Sequence, residues 1–170
     1  MAVGVAQVGS PVLGGGGVSS AAGLMEALSD EPYRGKADLP DIAETLHMEA
    51  GDLLPVAEAL QMLRFAEIER GDIRLTDAGM QFAKAETDER KRLFSQHLLT
   101  YVPLAAHVRR VLDERKGKPA PKRRFADELE DYMAEEAAEE TLRTVISWGR
   151  YAEAFAYDDN QQAFSLDNPA

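Results

Sequence analysis

Ala66-Glu67-Ile68-Glu69-Arg70-Gly71-Asp72-Ile73-Arg74-Leu75-Thr76 is the stretch whose reading decides the fold. It holds two short extended runs, Ala66 to Arg70 and Ile73 to Thr76, meeting at Gly71-Asp72. A Gly-Asp pair between apolar-polar runs signals a tight hairpin, because the primed turns need positive φ. The segment continues Leu75-Thr76-Asp77-Ala78-Gly79. Thr76 is placed to cap a following helix, and Gly79 allows close backbone approach.

Upstream of the hairpin, apolar residues recur at helical spacing. Ala21, Leu24, Met25 and Leu28 form one stripe, and Leu39, Ile42, Ala43 and Leu46 a second, opened by Asp38 as N-cap. Leu53, Val56, Ala57, Leu60 and Leu63 form a third, opened by Asp52, with Pro55 in its first turn where proline is tolerated. Three small helices followed by a hairpin make the winged-helix arrangement.

The second half follows the same plan. Thr87 is read as the cap of a long helix with Asp88 and Glu89 in its first turn, favourable to the helix dipole. Its apolar positions are Leu93, Phe94, Leu98, Tyr101, Val102, Ala105, Val108 and Leu112, with a kink expected at Pro103. A basic, proline-bearing loop from Arg115 to Lys122 follows. Phe125, Leu129 and Tyr132 then mark one helix, and Ala138, Leu142, Val145, Ile146 and Gly149 another. Ala152 to Tyr157 and Ala163 to Leu166, separated by Asp158 to Gln162, give a second hairpin with a looser turn. The junctions Arg64-Phe65-Ala66-Glu67 and Arg150-Tyr151-Ala152-Glu153 read alike, each leaving a helix for a strand. The expected fold is therefore mainly α with two small β-hairpins, in tandem winged-helix units. One winged helix plus a helical extension stays open beside it. The boundaries are a Gly-rich linker over 1–19, a first unit over 20–86, and a long kinked helix with a second unit over 87–170.

Composition narrows the function classes. Met1 to Ser19 is uncharged and Gly-rich, with four glycines at Gly14 to Gly17, and such a stretch gains little by burial. Val18-Ser19-Ser20 follows where a phosphate-cradling loop needs Lys-Ser/Thr. A linker at the extreme N-terminus leads us to expect a preceding partner domain or neighbouring gene product. No cysteine is present, which excludes disulfides, thiolate metal sites and a cysteine nucleophile. Neither a signal peptide nor an apolar run of membrane-spanning length is visible, so cytosol is the expected compartment. The net charge of −11 opposes coating of nucleic acid, whose phosphates demand Lys and Arg.

His47, His97 and His107 show no ligand spacing and are expected at the surface or its boundary. The acidic runs Glu128 to Asp131 and Glu135 to Glu140 read as solvated helix faces, and no serine has a nucleophile context. No cofactor is expected. The third helix of each unit, which reads DNA in winged-helix proteins, carries Glu49, Asp52 and Glu58 in one case and Glu135, Glu136, Glu139 and Glu140 ahead of Arg143 in the other. DNA binding is therefore the alternative and not the main reading. Arg109 and Arg110 lead into a basic cluster, Arg115, Lys116, Lys118, Lys122, Arg123 and Arg124. Its ordinary reading is a solvated loop balanced by Asp113, Glu114, Asp127 and Glu128, and its sharper one a contact for anionic lipid or an acidic partner. Trp148, Tyr151, Phe155 and Tyr157 read as core before they read as a small-molecule pocket, the third functional class.

The chain resembles a known family through Asp52-Leu53-Leu54-Pro55-Val56, Glu58-Ala59-Leu60, Phe65-Ala66 and Gly71-Asp72-Ile73-Arg74-Leu75-Thr76. The likeness continues through Glu89-Arg90-Lys91, Leu93-Phe94, Arg109-Arg110-Val111-Leu112, Trp148-Gly149-Arg150-Tyr151-Ala152-Glu153, Phe155 and Tyr157-Asp158-Asp159. It spans about Ala22 to Leu166 and is similar to the AAA-associated C-terminal domain of bacterial ABC transporter ATP-binding proteins, of the nitrate, sulfonate and taurine importer type. The resemblance implies a non-catalytic regulatory and protein-interaction module. Its expected partner is an ABC transporter ATP-binding subunit, in cis or in trans, and a homodimer is a further expectation. It also implies a cytoplasmic site, peripheral to the inner membrane through the transporter. The phosphate loop, helical signature and Walker B aspartate of such ATPases are missing from this sequence, so any hydrolysis is expected outside it.

Overall fold

A computed structural model describes residues 17–166. They divide into two compact units with the boundary inside one helix, between Phe94 and Ser95. Of the stretch read as a linker, residues 1–16 lie outside the described residues, while Val18 and Ser19 already belong to a helix.

The first unit runs α1 (Val18–Ser29), β1 (Lys36–Asp38), α2 (Leu39–Thr45), α3 (Ala50–Met62), β2 (Ala66–Glu69), β3 (Asp72–Leu75) and α4 (Asp77–Lys84). The expected hairpin is β2–β3, with Ile68 opposite Ile73 and Arg70 and Gly71 both at positive φ in the turn. A strand with no signal in the sequence pattern, β1, pairs antiparallel with β3 and completes a sheet of order β1-β3-β2. Ala37 of β1 is buried opposite Ile73, while Lys36 and Asp38 point outward. Leu24, Met25, Leu28, Ile42, Leu53 and Leu60 from the three helices are almost fully buried. Phe65, Phe82 and Phe94 are fully buried with them, their ring centroids 5.5–6.3 Å apart.

Local chemistry explains the ends of these helices. Thr76 caps α4: its Oγ1 accepts from the Gly79 N–H at 3.1 Å and donates to the Arg64 carbonyl at 2.8 Å. Gly79 lies under the Phe65 carbonyl, where a Cβ would collide with the oxygen. At the other end of α4, the Arg90 guanidinium donates to the carbonyls of Phe82, Ala83 and Ala85, which lie on the negative end of the dipole. Asp38 occupies the N-cap of α2 without a side-chain hydrogen bond. Asp52, which the sequence places at the opening of α3, does not cap it. The helix begins at Ala50 with Glu49 at the cap, and Asp52 is a first-turn acid.

The long helix also differs from expectation. Thr87 is inside α5 (Thr87–Tyr101), whose first bond runs from the Arg90 N–H to the Glu86 carbonyl. Pro103 breaks the helix instead of kinking it. The ring disfavours helical backbone at the preceding residue, so Val102 is extended and Pro103 becomes the first residue of α6 (Pro103–Glu114).

From α6 the second unit repeats the order of the first: β4 (Ala120–Pro121), α7 (Lys122–Glu130), α8 (Glu135–Ala152), β5 (Ala156–Asp158) and β6 (Ala163–Ser165). Its sheet has the order β4-β6-β5, again with a short first strand missed by the sequence reading. Backbone specials repeat too. Arg34-Gly35 and Lys116-Gly117 are paired positive-φ residues after the first helix of each unit, and Arg64 and Glu153 are left-handed residues after the third. Arg70 and Gln162 are positive-φ residues in the two hairpin turns. The quartets that read alike are therefore out of step. Arg150 to Ala152 still belong to α8, β5 begins only at Ala156, and the counterpart of Arg64 is Glu153. The core of this unit holds Leu104, Val108, Leu112, Leu129, Leu142 and Trp148, with Phe125 and Phe155 set edge-on to Phe164 at 5.3 and 5.5 Å. Tyr132, expected on the helix of Phe125, lies past its end and is about half exposed.

Candidate functional site

The second unit carries a concave polar site, a groove of about 520 Å³ beside α8 and the β5–β6 hairpin. Lys122, first residue of α7, lines it, as do Arg143, Ser147 and Arg150 of α8, Tyr157 of β5 and Gln162 of the turn. Glu139, Asp159 and Ile146 complete the wall. The spacing of Arg143, Ser147 and Arg150 places all three on one exposed helix face, opposite buried Leu142, Val145 and Trp148.

Ion pairs organise part of the groove. Lys122 Nζ lies 2.8 Å from Glu139 Oε1, and the Lys122 N–H donates to the Gln162 carbonyl at 2.8 Å. Arg150 donates to the Tyr157 carbonyl at 2.7 Å and to Asp159 at 2.9 Å, with its guanidinium 5.3 Å above the Tyr157 ring. Partial burial, more than any neighbouring charge, raises the Tyr157 phenol above its ordinary value, so its hydroxyl keeps its proton at neutral pH.

The basic cluster expected from the sequence is divided by the fold. Arg115 turns back to donate to the Pro119 carbonyl at 2.7 and 3.1 Å. Lys122 faces the groove, and Arg123 is held by Asp127 at 2.7 Å and Glu130 at 2.5 Å. Arg124 sits 5.9 Å from the Phe125 ring centroid, and Lys116 and Lys118 are exposed on the loop. The expected loop ends sooner than its sequence suggested, because Ala120–Pro121 pairs as β4 and Lys122 starts α7. Arg109, read as part of the same cluster, is committed to the Ala154 carbonyl at 2.8 Å.

His107 corrects another expectation. It is buried, since it falls on the same face of α6 as Leu104, Val108 and Val111. Its Nε2 lies 3.1 Å from Glu128, its ring meets Phe125 edge-on at 5.6 Å, and its Nδ1 has no hydrogen-bond partner among the described residues. Desolvation outweighs the Glu128 carboxylate and lowers its pKa. Glu128, Glu130 and Glu139 are thus tied to basic partners within what the sequence presented as solvated acidic faces. Trp148 and Phe155 are core, as expected, while Tyr157 lines the groove. Among the described residues no group of three or more His, Asp or Glu is arranged to hold a metal, and no helix is long and apolar enough to cross a membrane.

The family model of the C-terminal AAA-associated domain matches residues 40–158, from α2 of the first unit to β5 of the second. The chain belongs to this family. The matched span of the AAA-associated domain includes the basic segment and the groove residues from Lys122 to Tyr157, while Asp159 and Gln162 lie just beyond it. No curated protein and no solved structure matches the chain.

Proposed function

We propose that this AAA-associated domain is a non-catalytic regulatory and protein-interaction module of an ABC importer ATPase for small anions, built from tandem winged-helix units. The family match across both units carries this reading. The helix order, the three-stranded sheets with the short first strand at one edge, and the hairpins support the winged-helix assignment. In this account the ATPase does the bond-breaking, and the domain acts in the cytoplasm through protein contacts. Lys116, Lys118 and Arg124 present the charge that would meet an acidic partner face or membrane head groups.

DNA binding is the competing reading, favoured by Arg143 and Arg150 on the exposed face of α8. The same helix exposes Glu135, Glu136 and Glu140 ahead of Arg143, and α3 exposes Asp52 and Glu58, which a phosphate backbone would repel. Affinity capture of the cognate ATP-binding subunit by the tagged domain separates the two. Retention of that subunit is expected, and salt-sensitive retention of duplex DNA in its place would overturn the reading.

A further inference from the structure

The two units share one plan but present different third-helix faces. Counting back from the left-handed residues Arg64 and Glu153, Leu54 of α3 stands where Arg143 stands on α8, Glu58 where Ser147 stands, and Gln61 where Arg150 stands. All six are exposed. One copy has an apolar, an acidic and a neutral amide side chain at these places, and the other has two basic side chains and a hydroxyl. The 520 Å³ groove lies against the basic one.

Within that groove the fixed pairs leave a definite remainder. Glu139 neutralises Lys122 and Asp159 neutralises Arg150, which leaves Arg143 as the unmatched charge. Arg143 has no hydrogen-bond or ion-pair partner among the described residues, and neither do the Ser147 hydroxyl, the Tyr157 hydroxyl or the Gln162 amide. The groove therefore combines an uncommitted guanidinium with uncommitted donors from a strand, a turn and a helix, in a chain of net charge −11. A guanidinium recognises carboxylate, sulfate and phosphate oxygens through paired hydrogen bonds, and hydroxyl and amide donors complete such a site. The Ile146 side of the groove offers apolar contact to a ligand's body.

We propose that this groove binds the oxyanion group of a small molecule, with Arg143 as its charge partner and Ser147, Tyr157 and Gln162 as hydrogen-bond donors. Lys122 and Arg150 are positioning residues: Lys122 joins α7 to Glu139 of α8, and Arg150 holds the hairpin strand. The proposal is independent of the ATPase association, since it concerns the second unit's own side chains.

The test is isothermal titration calorimetry of the full chain with inorganic phosphate, sulfate and acetate, and separately with a short DNA duplex. Saturable heat with at least one of the three small anions is expected, and their ranking distinguishes a tetrahedral from a carboxylate ligand. Arg143→Leu, which installs the residue found at the equivalent place in the first unit, weakens that binding about tenfold or more. Tyr157→Phe weakens it by a smaller factor. Leu54→Arg leaves it unchanged. Circular dichroism melts of the variants should match the parent, because Arg143 is exposed. No heat with any small anion, equal affinity of parent and Arg143→Leu, or binding of the duplex alone would overturn the assignment.

Discussion

Gln61 and Arg150 stand three residues before the left-handed residue that follows the third helix of each unit, and each hydrogen-bonds the first hairpin strand seven residues downstream. Gln61 Oε1 accepts from the Ile68 N–H at 2.7 Å, whereas Arg150 donates to the Tyr157 carbonyl at 2.7 Å. Ile68 and Tyr157 are themselves equivalent, since each faces the central-strand residue, Ile73 or Phe164, that pairs on its other side with a buried alanine. One architectural role, bracing a short hairpin against a helix, is filled by an acceptor in one copy and a donor in the other.

Removing either brace should loosen its own hairpin. Gln61→Ala is expected to cost about 1 kcal/mol, the usual net value of one neutral hydrogen bond. Arg150→Ala should speed amide exchange in β5 and β6 with little change in β2 and β3. Exchange measured by mass spectrometry checks both, and uniform acceleration over all six strands would contradict the assignment.

Close approach at two glycines sets a second expectation. A Cβ on Gly79 would strike the Phe65 carbonyl oxygen, and one on Gly149 would overlap the buried Phe155 ring. Gly79→Ala and Gly149→Ala should each cost about 2 kcal/mol or more through overpacking. Urea midpoints report the loss, while Gly51→Ala, where a Cβ meets nothing, serves as the tolerant control.

His107 predicts a pH dependence of definite sign. Burial holds its pKa below the ordinary 6.5, and Glu128 offsets only part of that effect. The unfolded chain therefore takes up the proton first on acidification. The stability contributed by neutral His107 is complete above about pH 6.5 and is lost as pH falls from there towards the lowered folded value. Between about pH 7.5 and 5.5 the parent should lose more stability than His107→Gln. Equal losses in the two proteins, read from urea midpoints, would remove His107 from the account.

Charge reversal on the loop and the first turn of α7 should act on docking and leave the fold alone. Lys116, Lys118 and Arg124 form no ion pair among the described residues. Replacing all three by Glu should slow association with the ATP-binding subunit and alter its salt dependence, with the melting temperature unmoved. Surface plasmon resonance at two ionic strengths measures this.

Much of the fold was legible because its strongest signals are local. Gly71 supplies the turn, Thr76 the cap and Gly79 the close packing, each within a few residues of the segment it shapes. The first strand of each sheet was invisible, since Lys36–Asp38 and Ala120–Pro121 are too short to show alternation and form only by pairing with a distant hairpin. Pro103 was recognised as a disruption, but whether a helix bends or stops there depends on packing around Val102, which is fully buried. The groove was legible only in pieces. In the sequence Lys122 reads as part of a basic loop, Arg143 as a late cation on an acidic helix, and Tyr157 as a core candidate. Spacing along α8 places Arg143 with Arg150, but only the fold adds Lys122 and Gln162 to them.

The central claim, that this AAA-associated domain works by docking on an ATPase subunit, is tested most directly by size-exclusion chromatography with light scattering. The domain, mixed with its cognate ATP-binding subunit at micromolar concentration, should elute with it as one species whose mass equals the sum of the two. Separate elution at their individual masses, with and without nucleotide, would contradict the account.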